Sequence, residues 1–291
     1  MLRIFTIIYA IQYFTWMSWL QEAFGMTIIR TKFSVYISIF GLSVFSLLFF
    51  SHPYYVGIVL GIVSSLIILL VDFLASQTRY LRFFWLSIRF REKNIRLSIS
   101  YLFKIKIDNR YLLIRGRRFP QYQPVGGVFK RYKSSVDFFQ NIQALDDNLV
   151  PIDEDSKEDL RIRLKGKYLV AFMKWFDNRR NREISGWREF YEEMIKSDIL
   201  PQELFPFAQY QFIRTHENPV RYSDFAQSYE ILIAEIYELI VNHDQENFLR
   251  RSINKGLDNC IWVSEDEILR RGALPGKEYK ISISEHSKWV L

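Results

Sequence analysis

The densest chemistry in the chain sits in Arg188-Glu189-Phe190-Tyr191-Glu192-Glu193. Wound as a helix, this stretch sets Glu189, Glu192 and Glu193 at i, i+3 and i+4, on one face. Phe190 and Met194 are four apart and turn toward a core. Three carboxylates so close repel one another more than a helix requires. A divalent cation relieves that repulsion, and oxygen-rich donor sets suit Mg²⁺ or Mn²⁺. The plain alternative is an acidic face left to solvent. A second stretch lies upstream, between Arg110 and Lys130. There a strand pattern, Tyr111-Leu-Leu-Ile-Arg115, runs into a basic loop and a Gly126-Gly127 pair.

The elements that must carry these residues divide the chain. Phe33 to Phe50 is an uncharged apolar run of 18 residues, Ser51-His-Pro-Tyr-Tyr55 is a short turn, and Val56 to Val71 is apolar again. Each run approaches the roughly twenty residues needed to cross a hydrocarbon layer. No charge interrupts Phe33 to Val71, so residues 33–76 are expected to form a two-helix transmembrane hairpin. Arg30 and Lys32 precede it; Arg79, Arg82, Arg89, Arg91, Lys93 and Arg96 follow it. Basic residues gather on the cytoplasmic side, which predicts both ends inside the cell. Ile4 to Leu20 has no charge but carries Trp16 and Trp19. Residues 1–32 thus read as an interfacial helix, with a third span as the alternative. Residues 77–97 alternate basic and aromatic side chains. Such a pattern stacks single-stranded bases in other settings, but beside a span it reads as a linker bound to anionic lipid. Gly57, Gly61 and Ser65 recur every four residues in the second run. Small residues at that period let helices approach closely, within one hairpin or between subunits.

Residues 98–291 are expected to form the cytoplasmic part. Asp108-Asn109 between strand patterns is a hairpin signal. Leu160–Leu164, Tyr210–Thr215, Tyr229–Val241 and Ile261–Val263 read as strands. Tyr168–Phe176, Asn247–Lys255 and Glu265–Arg271 read as helices, and Lys280–Ser284 as a closing strand. With 39 Lys and Arg against 32 Asp and Glu, the net charge is +7. That excess favours anionic partners. The single cysteine, Cys260, excludes an intramolecular disulfide and fits a reducing compartment; it reads as a core residue. One cysteine and four scattered histidines exclude zinc-type spacing. No Gly-x-Ser-x-Gly or phosphate-loop motif is present.

The strand, the Gln121-Tyr-Gln-Pro-Val-Gly-Gly127 turn and the Arg-Glu-x-x-Glu-Glu helix together resemble the Nudix superfamily, whose box is GX5EX7REUXEEXGU. Arg188, Glu189, Phe190, Glu192 and Glu193 match its second half. Ile261–Leu269 is similar to the strand-then-helix ending of such domains. The first glutamate of the box is missing, because Lys133 stands six residues after Gly127 and Tyr132 six after Gly126. Ile195 replaces a box glycine, and about sixty residues separate Gly127 from Arg188. An insertion over 128–187 is expected to have split the box.

The resemblance implies an α+β fold, a Nudix-like α/β/α sandwich with a mixed sheet. It implies Mg²⁺ held by Glu189, Glu192 and Glu193, with Glu192 and Glu193 catalytic if the site turns over, and Arg188 bracing the helix through ion pairs. Arg115, Arg117, Arg118 and Lys130, with Gly126 and Gly127, would meet phosphates. Tyr122 would stack a base. With its hairpin, the chain resembles the SMODS-associated Nudix effectors of bacterial anti-phage systems, which pair a cyclic-oligonucleotide synthase with an effector. This implies a multi-pass protein of the bacterial inner membrane that takes a cyclic oligonucleotide or another nucleotide rather than a nucleic-acid polymer. Its partners would be the lipid bilayer and copies of itself. A membrane-tethered Mg²⁺-dependent hydrolase of nucleoside diphosphate derivatives is the alternative.

Overall fold

The computed structural model describes residues 27–46, 52–117, 119–147, 149, 157–273, 276 and 281–291. The expected helix over Ile4–Leu20 and Arg118 lie outside the described residues. The chain forms two compact units, one of residues 1–93 with 166–178, the other of 94–165 with 179–291.

The first unit is helical. Helix α1 spans Thr27–Ser46 and α2 spans Pro53–Ser76; the two pack on each other. Over Pro53–Phe73, 21 residues, α2 is long and apolar enough to cross a membrane. The apolar part described in α1, Val35–Phe45, is shorter than a crossing needs. Among the described residues there is thus one candidate span; the expected first run, 33–50, ends at residues outside them. Val59 is buried, but Gly57 and Gly61 meet nothing within 4 Å of where a Cβ would stand. Ser65 turns its hydroxyl back onto the Gly61 carbonyl, 2.9 Å away. Among the described residues nothing lies against the two glycines.

The expected linker 77–97 is mostly a helix, α3 (Thr78–Arg89), amphipathic by its spacing. Its buried Phe83 lies on the inner face, and Trp85 and Ile88 stay exposed. Arg79 donates to both carboxylate oxygens of Asp177, at 2.7 and 2.8 Å, and the Tyr80 hydroxyl donates to the same group. Asp177 ends a further helix of this unit, Leu169–Asp177, which packs on α3.

The second unit is built on strands. Strand β1 (Asn94–Lys104) alternates apolar and polar residues, burying Ile95, Leu97, Ile99, Tyr101 and Phe103, as a strand of period two must. The chain turns through β2 (Lys106–Ile107) and β3 (Arg110–Arg115). Asp108 and Asn109 both take positive φ, 47° and 62°, the left-handed pair that a two-residue hairpin of type I′ demands. Next come β4 (Tyr122–Gln123), β5 (Val125–Val128), α4 (Val136–Asn141), β6 (Leu145–Asp146) and β7 (Arg161–Lys165). After the helix of the first unit, which is α5, follow α6 (Trp187–Phe190), β8 (Gln209–Glu217), β9 (Arg221–Ser223) and β10 (Ser228–Ile240). The chain ends with α7 (His243–Lys255), β11 (Cys260–Ser264) and α8 (Glu265–Leu269).

Seven strands form a mixed sheet in the order β6-β7-β1-β10-β8, with β5 on β1 and β9 on β10. Strand β10 runs parallel to β1 over ten paired positions, a pairing that only a long crossover allows. Strands β7 and β5 share the other edge of β1, at Asn94–Ser98 and Ser100–Phe103. The stretch expected to be an insertion therefore adds strands to the central sheet. The smaller sheet, β11-β3-β2 with β4 on β3, packs its Tyr111, Leu113 and Val263 on Leu102, Ala234 and Ile236 of the larger one. Among the described residues of the expected closing strand, one bridge forms, Ile283 to Tyr122. This is an α+β unit with a mixed sheet, as expected.

Candidate functional site

Glycines 126 and 127 lie in β5, opposite Leu102 and Tyr101 of β1. At Gly126 φ is +146°, and a Cβ there would stand 2.2 Å from the Tyr101 carbonyl oxygen. Only glycine tolerates both. At Gly127 a Cβ would meet the Glu189 carboxyl carbon at 2.3 Å, so its bareness lets that side chain lie against the strand. The Gly126 N–H donates to Glu193 Oε2 at 3.0 Å.

The carboxylates come from α6 and the turn after it. Trp187–Phe190 is α-helical, but Tyr191–Ile195 widens into a π turn, closed by the Lys196 N–H on the Tyr191 carbonyl at 2.8 Å. Such bulges recur at functional sites. Glu192 and Glu193 therefore do not follow Glu189 with the regular spacing of an α-helix.

One guanidinium organises the acids. Arg188 Nη1 lies 2.7 Å from Glu189 Oε1 and 3.5 Å from Glu192 Oε2. Its Nε and Nη2 grip Glu183 at 3.1 and 3.2 Å, a two-pronged pairing, and Nη2 also reaches the Val128 carbonyl at 3.3 Å. Burial works against the Arg188 charge, but Glu183 and Glu189 outweigh it and hold its pKa above the ordinary range. Burial raises the Glu183 carboxyl as well, partly offset by Arg188. Glu193 is pushed up to about 7 by burial, against its Gly126 hydrogen bond and with help from the Glu189 and Glu192 charges.

Glu183 was not singled out from the sequence. Counting from the glycines points to Lys133 and Tyr132, whereas the acid that grips Arg188 stands five residues before it. Its segment is pinned: the Glu183 N–H donates to the Lys130 carbonyl at 2.8 Å, and Glu183 Oε2 accepts from the Lys130 N–H at 3.2 Å. The neighbouring Arg182 is buried over the Phe129 ring, at 4.9 Å, and faces Glu235. A further buried acid, Asp159, faces Arg161 at 3.6 Å. Burial pushes it up to about 6, against the Arg161 and Lys130 charges.

All three box glutamates line one cavity of about 920 Å³, at the upper end of the range for ligand sites. Arg117, Gly126, Gly127 and Arg188 line it too, as do Asp159 and Arg161. Arg117 Nη2 donates to the Glu192 carbonyl at 3.3 Å. Arg115, Tyr122 and Lys130 are not among the lining residues. Tyr122 packs instead on the apolar cluster between the sheets, so it is not placed to stack a base. Cys260 is half-buried, and burial pushes its thiol up to about 12, as suits a packing residue.

The donor chemistry of Glu189, Glu192 and Glu193 suits Mg²⁺, but their arrangement does not. Glu189 and Glu192 turn to Arg188 and Glu193 to the Gly126 N–H. Among the described residues no group of three His, Cys, Asp or Glu is gathered closely enough to hold a metal ion.

This geometry has a counterpart among known families. The pattern of the SMODS-associated NUDIX domain matches residues 94–291. The chain belongs to that family. The match begins where β1 begins, and it includes the whole stretch expected to be an insertion. No curated protein matches the chain significantly. Nudix domains generally use a divalent metal. In this Nudix domain Arg188 is the positive charge that Glu189 and Glu192 meet.

Proposed function

We propose that the chain is a membrane-anchored effector of a cyclic-oligonucleotide (CBASS) antiviral system, its Nudix domain sensing a nucleotide signal. Binding then drives the apolar helices to disrupt the bacterial inner membrane, in which the chain sits as a multi-pass, self-associating protein. The observation that carries the sensing role is the state of the box: its glutamates are tied to Arg188 and to the Gly126 N–H, around a cavity large enough for a nucleotide. Arg117 and Arg188 offer guanidinium groups to phosphate, the pairing that Arg makes best. For a switch, the ligand must favour one state of the protein over the other. The ion pairs from Arg188 to Glu189 and Glu192 supply such a difference, because an entering phosphate competes for the same guanidinium.

A second reading keeps catalysis. Glu192 and Glu193 line the same cavity, and the Arg-Glu-x-x-Glu-Glu spacing survives. As a tethered hydrolase of nucleoside diphosphate derivatives, the domain would need Glu189 and Glu192 to turn from Arg188 before they and Glu193 could hold Mg²⁺ or Mn²⁺.

The test places three forms beside a cyclic-oligonucleotide synthase in phage-infected cells: the wild type, Glu192→Gln/Glu193→Gln and a form lacking residues 27–76. The proposal expects membrane leakage from the first two and none from the third. Leakage that depends on the glutamates, with nucleotide cleavage by the purified wild type, supports the hydrolase instead.

A further inference from the structure

Helix α3 is apolar on two opposite sides. Phe83 is fully buried on the inner one, and the helix packs on α5. Trp85 stands two positions on, about 200° round a helix axis, and is 66 % exposed. Ile88, three residues further and on the same side, is 49 % exposed. Leu81, half-buried, stands four before Trp85 and completes a stripe at i, i+4 and i+7. The Phe84 ring meets Trp85 edge-on, with centroids 6.0 Å apart. A single exposed apolar residue needs no explanation, whereas a contiguous patch marks a surface that meets something.

Charge says what it meets. The helix carries three arginines and no acid. Arg79 is committed to Asp177, and that fork, with the Tyr80 hydroxyl on the same carboxylate, fixes the rotation of α3. Arg82 and Arg89 are exposed, three residues before Trp85 and four after it, so cations flank the apolar stripe. Position agrees with charge. The apolar stretch of α2 ends at Phe73 and α3 begins at Thr78. With Phe73 at the hydrocarbon edge, α3 starts about 7.5 Å beyond it at 1.5 Å per residue. The headgroup layer has that depth, roughly 5–7 Å in each leaflet.

We infer that the outer face of α3 rests on an anionic lipid surface, Trp85 and Ile88 entering the headgroup layer and Arg82 and Arg89 meeting lipid phosphates. Tryptophan at that depth keeps its ring apolar-side in and its N–H wet, and arginines beside it are drawn to a negative leaflet. A helix held there fixes the tilt and rotation of the span it follows. The inference rests on the membrane reading above and adds to it the docking face and the charge of the lipid.

The experiment uses the full chain with Cys260→Ala, in nanodiscs of phosphatidylcholine alone or mixed with phosphatidylglycerol. A fluorophore on Ile88→Cys reports the outer face of α3, one on Leu69→Cys reports α2, and one on Arg251→Cys, exposed in α7, is the control. Spin-labelled lipids quench whatever lies in the bilayer. Quenching is expected at positions 69 and 88 and not at 251, and at 88 it is stronger in the anionic discs. Arg82→Gln or Arg89→Gln should lower the ratio of docked to free label at 88 about fivefold each in those discs, with circular dichroism verifying the helix. Quenching at 69 without quenching at 88 overturns the docking face and leaves the span. Quenching at 88 that ignores lipid charge and both arginines overturns the role of the anionic surface. No quenching at 69 overturns the membrane reading itself, and the docking face with it. In detergent, disulfide dimers of the unlabelled Ile88→Cys chain, or shielding of the label by single-stranded DNA, give the face to another occupant and overturn the inference.

Discussion

Helix α2 and strand β10 are both rich in Ile and Leu and meet opposite fates. In β10 the apolar side chains are enclosed: Ile233 and Ile236 are fully buried, because both faces of a central strand are covered. In α2 they stand open; Ile58 is 66 % exposed and Val71 60 %. A helix that is apolar all round belongs in a core or a membrane, and among the described side chains of α2 only Val59 is buried against protein. Composition alone therefore does not assign an apolar run to a core. What decides is whether other elements cover it.

The comparison breaks most visibly by removal. Deleting residues 27–76 should move the protein from the detergent-extracted fraction to the aqueous one, because the sheet unit keeps its own core. The measurement is fractionation of cell lysate with and without detergent. A full-length chain recovered in water alone removes the membrane role of α2.

Paired truncations sharpen it. Ile233→Ala leaves a hole in a packed interior and should cost about 2–5 kcal/mol. Ile58→Ala, in α2, should change unfolding of the sheet unit by less than about 0.5 kcal/mol. Urea unfolding of the full chain in detergent reads both. Similar losses at the two positions sink the distinction drawn between the two apolar runs.

Much of the sheet unit was legible because its signals are local. Alternation predicted β7, β8 and β10 to within a residue or two, and the left-handed pair at Asp108-Asn109 is a requirement of two residues only. The Arg188 stretch was legible for the same reason. What failed was non-local. That β5 and β7 share one edge of β1 has no counterpart in sequence spacing, so 128–187 read as an insertion. Glu183 was missed because the box was counted forward from the glycines, while the acid approaches from the other side of the chain's excursion. Asp159, Arg221 and Arg271 come from three separate stretches of chain into one cavity, and no spacing rule joins them. The π turn at Tyr191–Ile195 hides within a good helix pattern.

The smallest effect concerns the sheet unit's interior, which is not wholly apolar. Asp159 is buried and its carboxyl is raised from an ordinary value near 3.8 to about 6. Below pH 3.8 it is protonated folded or unfolded, and contributes no difference. Between the two values the folded chain keeps a proton that the unfolded chain releases, so stability falls as pH rises. Above pH 6 the penalty is full, roughly 1–3 kcal/mol at about 1.4 kcal/mol per unit. Asp159→Asn removes the charge and keeps the shape. The variant should match the wild type near pH 4 and exceed it at pH 8, measured by urea unfolding at each pH. Helix α2 should leave that gap untouched, since no charge of its own is buried there. A variant weaker than the wild type at pH 8 shows that the Arg161 ion pair outweighs the cost of enclosing the charge. The interior of the sheet unit would then hold ions as readily as it holds isoleucine.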